Sequence, residues 1–196
     1  MSKKRRQSGR KSRKRWFLLL LLVVLAVMFV RSEWIGRSIY PVYFKSEIKQ
    51  HAAAFGQDPL LIAAIIRVES NFKEDAVSRK GALGIMQIMP DTAAWILQKE
   101  ASFKDVTVQD AGSTADAGIR LGTWYIKELN RQFEGNLPVM LAAYNAGPNR
   151  VKQWLNDRVW DGSEQTVHNI PYGETRHYVQ RVLYYYKKYQ EVYDSL

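Results

Sequence analysis

Asp58-Pro59 followed by Leu60, Leu61, Ile62, Ala63, Ala64, Ile65, Ile66, Arg67, Val68 and Glu69 is the stretch that most restricts the fold. An aspartate caps a helix, and proline suits the first turn, where its missing N–H would have no partner anyway. The helix predicted over 58–71 is apolar almost all round. Such a helix has to be enclosed by other elements. The chain must therefore build a core around it, and a hydrophobic content of 46% supplies the material.

The other signals after residue 15 are helical as well, with no internal repeat, no low-complexity segment and no convincing strand alternation. Pro90 or Asp91 opens a helix reaching Gln98, and Ser113 with Asp116 makes a start resembling a capping box. Leu121, Tyr125, Leu129 and Phe133 recur every fourth residue and mark one buried stripe before Gly135-Asn136. A short helix from Leu137 stops at Gly147-Pro148, and another runs over 149–156. The last, from about Glu174, places Tyr178, Val182, Tyr185 and Tyr189 on one face. Segments within 81–89 and 157–172 have room for extended backbone without a placeable strand. The expected class is mainly α, with little or no β. The aromatics, 6 Trp, 11 Tyr and 7 Phe, are dense in the second half and read first as core, then as groove.

The N-terminus has a different composition. Residues 1–15 hold nine Lys or Arg and no acid, and residues 16–30 carry no charge. The order predicts a basic cytoplasmic tail over 1–15, a signal-anchor transmembrane helix over 16–34, a stalk over 35–44 interrupted by Pro41, and a folded domain over 45–196. No small-x-small cleavage site follows the apolar run, which favours retention. Fifteen helical residues reach roughly 22 Å, short of a bilayer core of about 30 Å. Ser32 and Gly36 would have to extend the helix, with Arg15 and Arg31 snorkelling to the interfaces. The positive flank keeps that end in the cytoplasm and delivers the domain outside, as a single-pass protein of the cell membrane.

Removing those nine cations from the 29 basic residues leaves 20 against 19 acidic ones, so the rest of the chain is nearly neutral. A nucleic-acid-binding face would need an excess that is not there. The absence of cysteine excludes disulfides and thiolate metal sites. His51, His168 and His177 have no metal-ligand spacing and read as surface or groove residues, so neither a metal nor a cofactor is expected.

Three segments carry candidate chemistry. Glu69 shares a face with Leu61 and Ile65 at the helix C-terminus, where desolvation and the helix dipole both disfavour its charged form. A carboxyl with a raised pKa can protonate a leaving oxygen at neutral pH; the alternative is a glutamate turned to solvent. Gly81-Ala82-Leu83-Gly84-Ile85-Met86-Gln87-Ile88-Met89-Pro90 contains one amide among hydrophobes. Gln87 would read sugar hydroxyl or acetamido groups, or else satisfy the backbone of a buried turn. Ala142-Ala143-Tyr144-Asn145-Ala146-Gly147-Pro148 is either a plain helix stop or a phenol and an amide presented to a cleft.

Taken in order, Glu69-Ser70, the Gly-Ile-Met-Gln-Ile-Met-Pro segment, Ala-Tyr-Asn-Ala-Gly, and Pro171-Tyr172-Gly173-Glu174-Thr175-Arg176-His177-Tyr178-Val179 resemble the soluble lytic murein transglycosylase family. The resemblance covers about residues 45–190 and implies a lysozyme-like α-helical catalytic domain. It implies that Glu69 is the catalytic acid and base, that Ser78 lies near the scissile sugar, and that Gln87 and Met89 belong to the groove. Ile85 stands where the family has Leu, a swap that conserves volume. Tyr144, with Asn145 next to it, would help position substrate, and Glu174 and Arg176 would close the far side of the cleft. The implied reaction cuts the bond between N-acetylmuramic acid and N-acetylglucosamine in peptidoglycan and leaves a 1,6-anhydro ring. Most glycosidases need a second carboxylate, and Glu74, Asp75 and Glu174 are the places to look for one. A goose-type lysozyme-like muramidase and a membrane-tethered peptidoglycan-binding module remain the alternatives. The expected partners are peptidoglycan strands and the membrane, and the expected state is a monomer.

Overall fold

The computed structural model describes residues 6–30 and 33–196, with side chains at 14–25, at 29 and from 35 onward. The chain divides into two units, Met1–Pro41 and Val42–Leu196.

In the first unit, α1 spans Arg6–Val30 and α2 spans Glu33–Ile39. Trp16, Phe17 and every residue from Leu18 to Leu25 are exposed on α1. Part of the transmembrane helix expected over 16–34 lies outside the described residues, and among the described residues no helix is long and apolar enough to cross a membrane. The reason is length and charge. The uncharged run is fifteen residues, and the N-terminal part of α1 carries Lys14 and Arg15 within the same helix. Arg31 and Ser32, which the extension required, lie outside the described residues, as do residues 1–5 of the basic tail. The expected stalk is helical up to Ile39.

The second unit is built around α4, Pro59–Glu69. The Asp58 carboxylate accepts a hydrogen bond from the Leu60 amide at 2.8 Å, and Pro59 occupies the first turn. Seven consecutive residues, Leu60 to Ile66, are buried, as an all-apolar helix requires. Covering a Leu or Ile side chain stabilises by about 1.5–3 kcal/mol before entropy is counted, so this helix anchors the core. It packs against α3 (Lys45–Phe55) and α10 (Gly173–Val192).

Three further helices extend this packing around α3 and α10. α7 (Ala115–Gln132) packs on α3 and α8, and α8 (Leu137–Ala146) packs on α9 (Pro148–Asn156) and α10. The short α6 (Asp110–Ser113) leads into α7, and α5 (Pro90–Lys99) rests on α7. The cap of α7 is Thr114, one residue beyond the expected Ser113. Ser113 closes α6, whereas Thr114 is extended and its hydroxyl accepts from the Ala117 amide at 3.3 Å. Leu121 and Leu129 of the predicted stripe are buried, and Tyr125 and Phe133 are half-buried. On α10, Tyr178, Val182 and Tyr189 face the core.

Segment 76–89 forms two isolated antiparallel bridges, Val77 with Leu83 and Leu83 with Ile88, and no strand occurs among the described residues. Its position depends on close approach to α6 and α7. A Cβ on Gly122 would lie 2.4 Å from the Met86 sulfur, and one on Gly84 would lie 1.9 Å from the Ala111 carbonyl oxygen. Gly84 also has φ +71°, a conformation that side chains rarely adopt.

Candidate active site

Glu69 is the last residue of α4, and the helix stops there for local reasons. Ser70 leaves helical geometry, and Asn71 and Phe72 both have positive φ. The Ser70 hydroxyl donates to the Ile85 carbonyl at 2.7 Å, tying the end of α4 to the segment that carries Gln87. The Glu69 side chain is turned into a cleft of about 480 Å³, lined also by Ser78, Arg79, Lys80, Ala82, Gln87, Met89, Tyr144, Asn145 and Glu174.

Glu69 keeps partial contact with solvent through this cleft, yet its carboxyl is surrounded by protein on most sides. Desolvation is the largest influence and pushes its pKa up to about 8. The Tyr178 hydroxyl and the charge of Arg181 pull the other way, and Glu174 adds a small upward push. At neutral pH the group is therefore mostly a neutral acid. The solvent-facing alternative for Glu69 does not hold, because its helix face is covered by α10.

Two phenols enclose the same spot. The Tyr144 hydroxyl donates to the Met86 carbonyl at 2.8 Å, and burial, then Glu69, raise its pKa far above the ordinary value. Tyr178 is raised in the same way. Its buried hydroxyl influences Glu69 but makes no hydrogen bond of regular geometry among the described residues. Tyr178 was legible in the sequence only as a core position of α10. Its register, four residues beyond Glu174, was the signal that it shares the cleft side of the helix.

The other candidates divide into cleft rim and scaffold. Gln87, with φ +50°, donates its amide to the Ala76 and Gly84 carbonyls at 3.0 and 2.8 Å, so the backbone-satisfying alternative holds for its NH₂. Ser78 accepts from the Lys80 and Ala82 amides at 3.2 and 2.9 Å and shapes a turn. Asn145 accepts from the Thr175 hydroxyl at 2.8 Å, which joins α8 to α10. Met89 is exposed on the rim. Glu174 is held by Lys80 at 2.7 and 3.1 Å across the cleft mouth. Arg176 is not brought to the lining; its guanidinium donates twice to the Ile170 carbonyl, at 3.2 and 3.0 Å, and fixes the loop before α10.

Of the three acids considered as a second carboxylate, only Glu174 lines the cleft. Glu74 accepts from the Ala115 amide at 3.3 Å instead and supports the start of α7. His51 departs from the expected surface or groove position. It is 4% exposed, and its Nε2 pairs with Asp116 at 2.7 Å, because α3 and α7 pack together over it. Past Met89, Tyr144 and Asn145 the groove continues along Thr92 and Tyr125 to Trp95.

A family model described as "Transglycosylase SLT domain" matches residues 46–166. The match includes Glu69, Ser78, Gln87, Met89, Tyr144 and Asn145, and ends before Glu174 and Arg176. The chain is 34% identical over 149 residues to a soluble lytic murein transglycosylase of Escherichia coli, covering 74% of this chain and 23% of that protein. Against the soluble lytic murein transglycosylase of Salmonella typhimurium it is 39% identical over 123 residues, covering 62% and 19%. Among solved structures, the 70 kDa soluble lytic transglycosylase of E. coli superposes with a TM-score of 0.72 at 31% identity, over 79% of this chain and 25% of that one. An inactive mutant of lytic transglycosylase Slt from Pseudomonas aeruginosa gives 0.68 at 38%, over 77% and 24%. The chain thus spans about a quarter or less of the length of these relatives. The mainly helical, lysozyme-like architecture agrees with the expected class.

Proposed function

This chain belongs to the transglycosylase SLT family, and from that premise we propose that it cuts peptidoglycan glycan strands as a lytic transglycosylase, with Glu69 as acid and then base. The observation that carries this reading is the Glu69 carboxyl, kept protonated up to about pH 8 by burial at the cleft floor. The second lining carboxylate, Glu174, is exposed at the cleft mouth and paired with Lys80.

In this mechanism the Glu69 proton passes to the oxygen between N-acetylmuramic acid and N-acetylglucosamine, and the C1–O bond breaks. The substrate's acetamido group stabilises the cationic centre. The Glu69 carboxylate then takes the proton of the muramic C6 hydroxyl, whose oxygen bonds to C1 and closes the 1,6-anhydro ring. No water is consumed, and the intramolecular attack gains from proximity. The ionised stage is where Tyr178 and Arg181 act, since both favour the charged form. Ser78, Gln87 through its carbonyl, Met89, Tyr144, Asn145 and Glu174 line the substrate path, and Arg176 positions the loop beside it.

Attachment of the domain to the outer face of the cell membrane through residues 16–34 belongs to the same proposal, with 1–15 on the cytoplasmic side, 35–44 as connector and the protein acting as a monomer. Its support is the basic-then-uncharged order and the all-round exposure of apolar residues on α1. A run this short needs snorkelling cations at its ends. Recovery of the full chain in the soluble fraction, like a chain lacking 1–34, would reject the attachment.

Mass spectrometry of the soluble products of purified peptidoglycan tests the reaction. Anhydro-muropeptides from the wild type, absent with Glu69→Gln, are expected. Reducing-end muramic acid would instead assign a muramidase, and binding without products would assign a binding module.

A further inference from the structure

The turn at 78–82 brings two adjacent cations into the lining of the Glu69 cleft. It is a fixed turn. Ser78 exchanges backbone hydrogen bonds with Ala82 and Gly81, both at 3.0 Å, its hydroxyl accepts from the Lys80 and Ala82 amides, and Gly81 supplies the positive φ. Arg79 and Lys80 therefore project from a defined position rather than from a loose loop. The charges around them do not cancel. Lys80 is matched by Glu174. Glu69 is neutral near pH 7 and offers Arg79 no counter-charge. Among the described residues Arg79 has no acid within ion-pair distance. An exposed guanidinium at the mouth of an otherwise balanced cleft suits bidentate binding of a carboxylate.

We propose that Arg79, with Lys80 beside it, selects strands that carry a carboxylate next to the bond attacked by Glu69. The inference rests on the cleft being a glycan-cleaving site. It makes Arg79 a specificity determinant for an anionic substituent, which a neutral aminosugar polymer lacks. Two sources offer that chemistry: the lactyl carboxylate of muramic acid where no peptide is attached, and the carboxylates of an attached peptide.

The test measures binding by the full chain carrying Glu69→Gln, so that ligands stay uncut. Three probes are compared: peptidoglycan strands with peptides, strands freed of peptides by an amidase, and chito-oligosaccharides. Adding Arg79→Ala is expected to weaken binding of a carboxylate-bearing probe roughly tenfold, a loss at least about fivefold larger than on chito-oligosaccharides. Arg79→Lys should recover part of it, and about 0.5 M salt should shrink the difference. A gap on the stripped strands assigns the lactyl carboxylate, and a gap only on peptide-bearing strands assigns the peptide. Arg79→Glu, with an unchanged melting temperature, should give a larger gap and guards against a folding artefact. Equal losses on all three probes, or none, would overturn the proposal. Product analysis of the wild type is read separately. Missing anhydro products with the Arg79 gap intact would sink the transglycosylase reading alone, and anhydro products without a gap would sink this inference alone.

Discussion

The end of α4 and the segment from Ser78 to Met89 face each other across one cleft, yet they use polar groups in opposite ways. α4 is apolar, and it delivers one carboxyl whose pKa is raised chiefly by burial. The facing segment is rich in polar groups, and most of them are occupied: the Gln87 amide by Ala76 and Gly84, the Ser78 hydroxyl by its own turn. Reactivity sits where packing desolvates a group, and motif residues that look chemical can be the braces that hold it there.

The largest expected effect breaks the reactive side alone. Glu69→Gln should lower turnover of peptidoglycan by about 10²- to 10⁴-fold while leaving circular dichroism unchanged. A residual rate near wild type would move the acid elsewhere. Next comes the brace. Gly84→Ala should cost about 3 kcal/mol or more in a denaturant titration, since the new methyl meets the Ala111 carbonyl at a left-handed φ. Gln87→Ala should cost about 0.5–1.5 kcal/mol, because it removes the side-chain hydrogen bonds to the Ala76 and Gly84 carbonyls while each keeps a backbone donor. Gln87→Ala should also impair activity through that loosening; full stability with lost binding would instead make the amide a substrate reader.

The pH dependence sharpens the contrast further. Glu69 holds its proton up to about 8 in the folded chain, against 4.5 for an ordinary glutamate. The unfolded chain therefore releases it first. The associated stability is complete below pH 4.5 and declines as pH rises through about 8. Thermal melts over this range should show that decline in wild type and lack it in Glu69→Gln, and kcat/KM should fall above about pH 8. The smallest effect concerns the ion pair at the cleft mouth. Lys80 and Glu174 are 74% and 67% exposed, so Lys80→Met should change stability by less than about 1 kcal/mol.

Helix positions were legible because proline, glycine and capping residues punctuate this chain, and because apolar spacing shows which faces are buried. The single-residue shift from Ser113 to Thr114 reflects competition between two adjacent helix ends for one turn. The two uses of Gln87 stayed open in the sequence, since an amide among hydrophobes serves a ligand or a turn equally well. The contacts of Arg176 and His51 were not legible because each finds its partner through another element: a loop carbonyl for Arg176, and for His51 a carboxylate 65 residues away.

The sequence by itself determined that α4 lies in the core, that Glu69 stands at its end, and that nearly all of the excess positive charge lies in residues 1–15, because burial and charge follow from local composition. The tertiary structure alone decided that α10 closes over Glu69 and brings Tyr178 to it, that Glu174 is paired with Lys80, and that Arg79 stands unmatched at the rim. Desolvation and ion pairing depend on which surfaces meet, and contacts between residues tens of positions apart are set by packing rather than by the order of the chain.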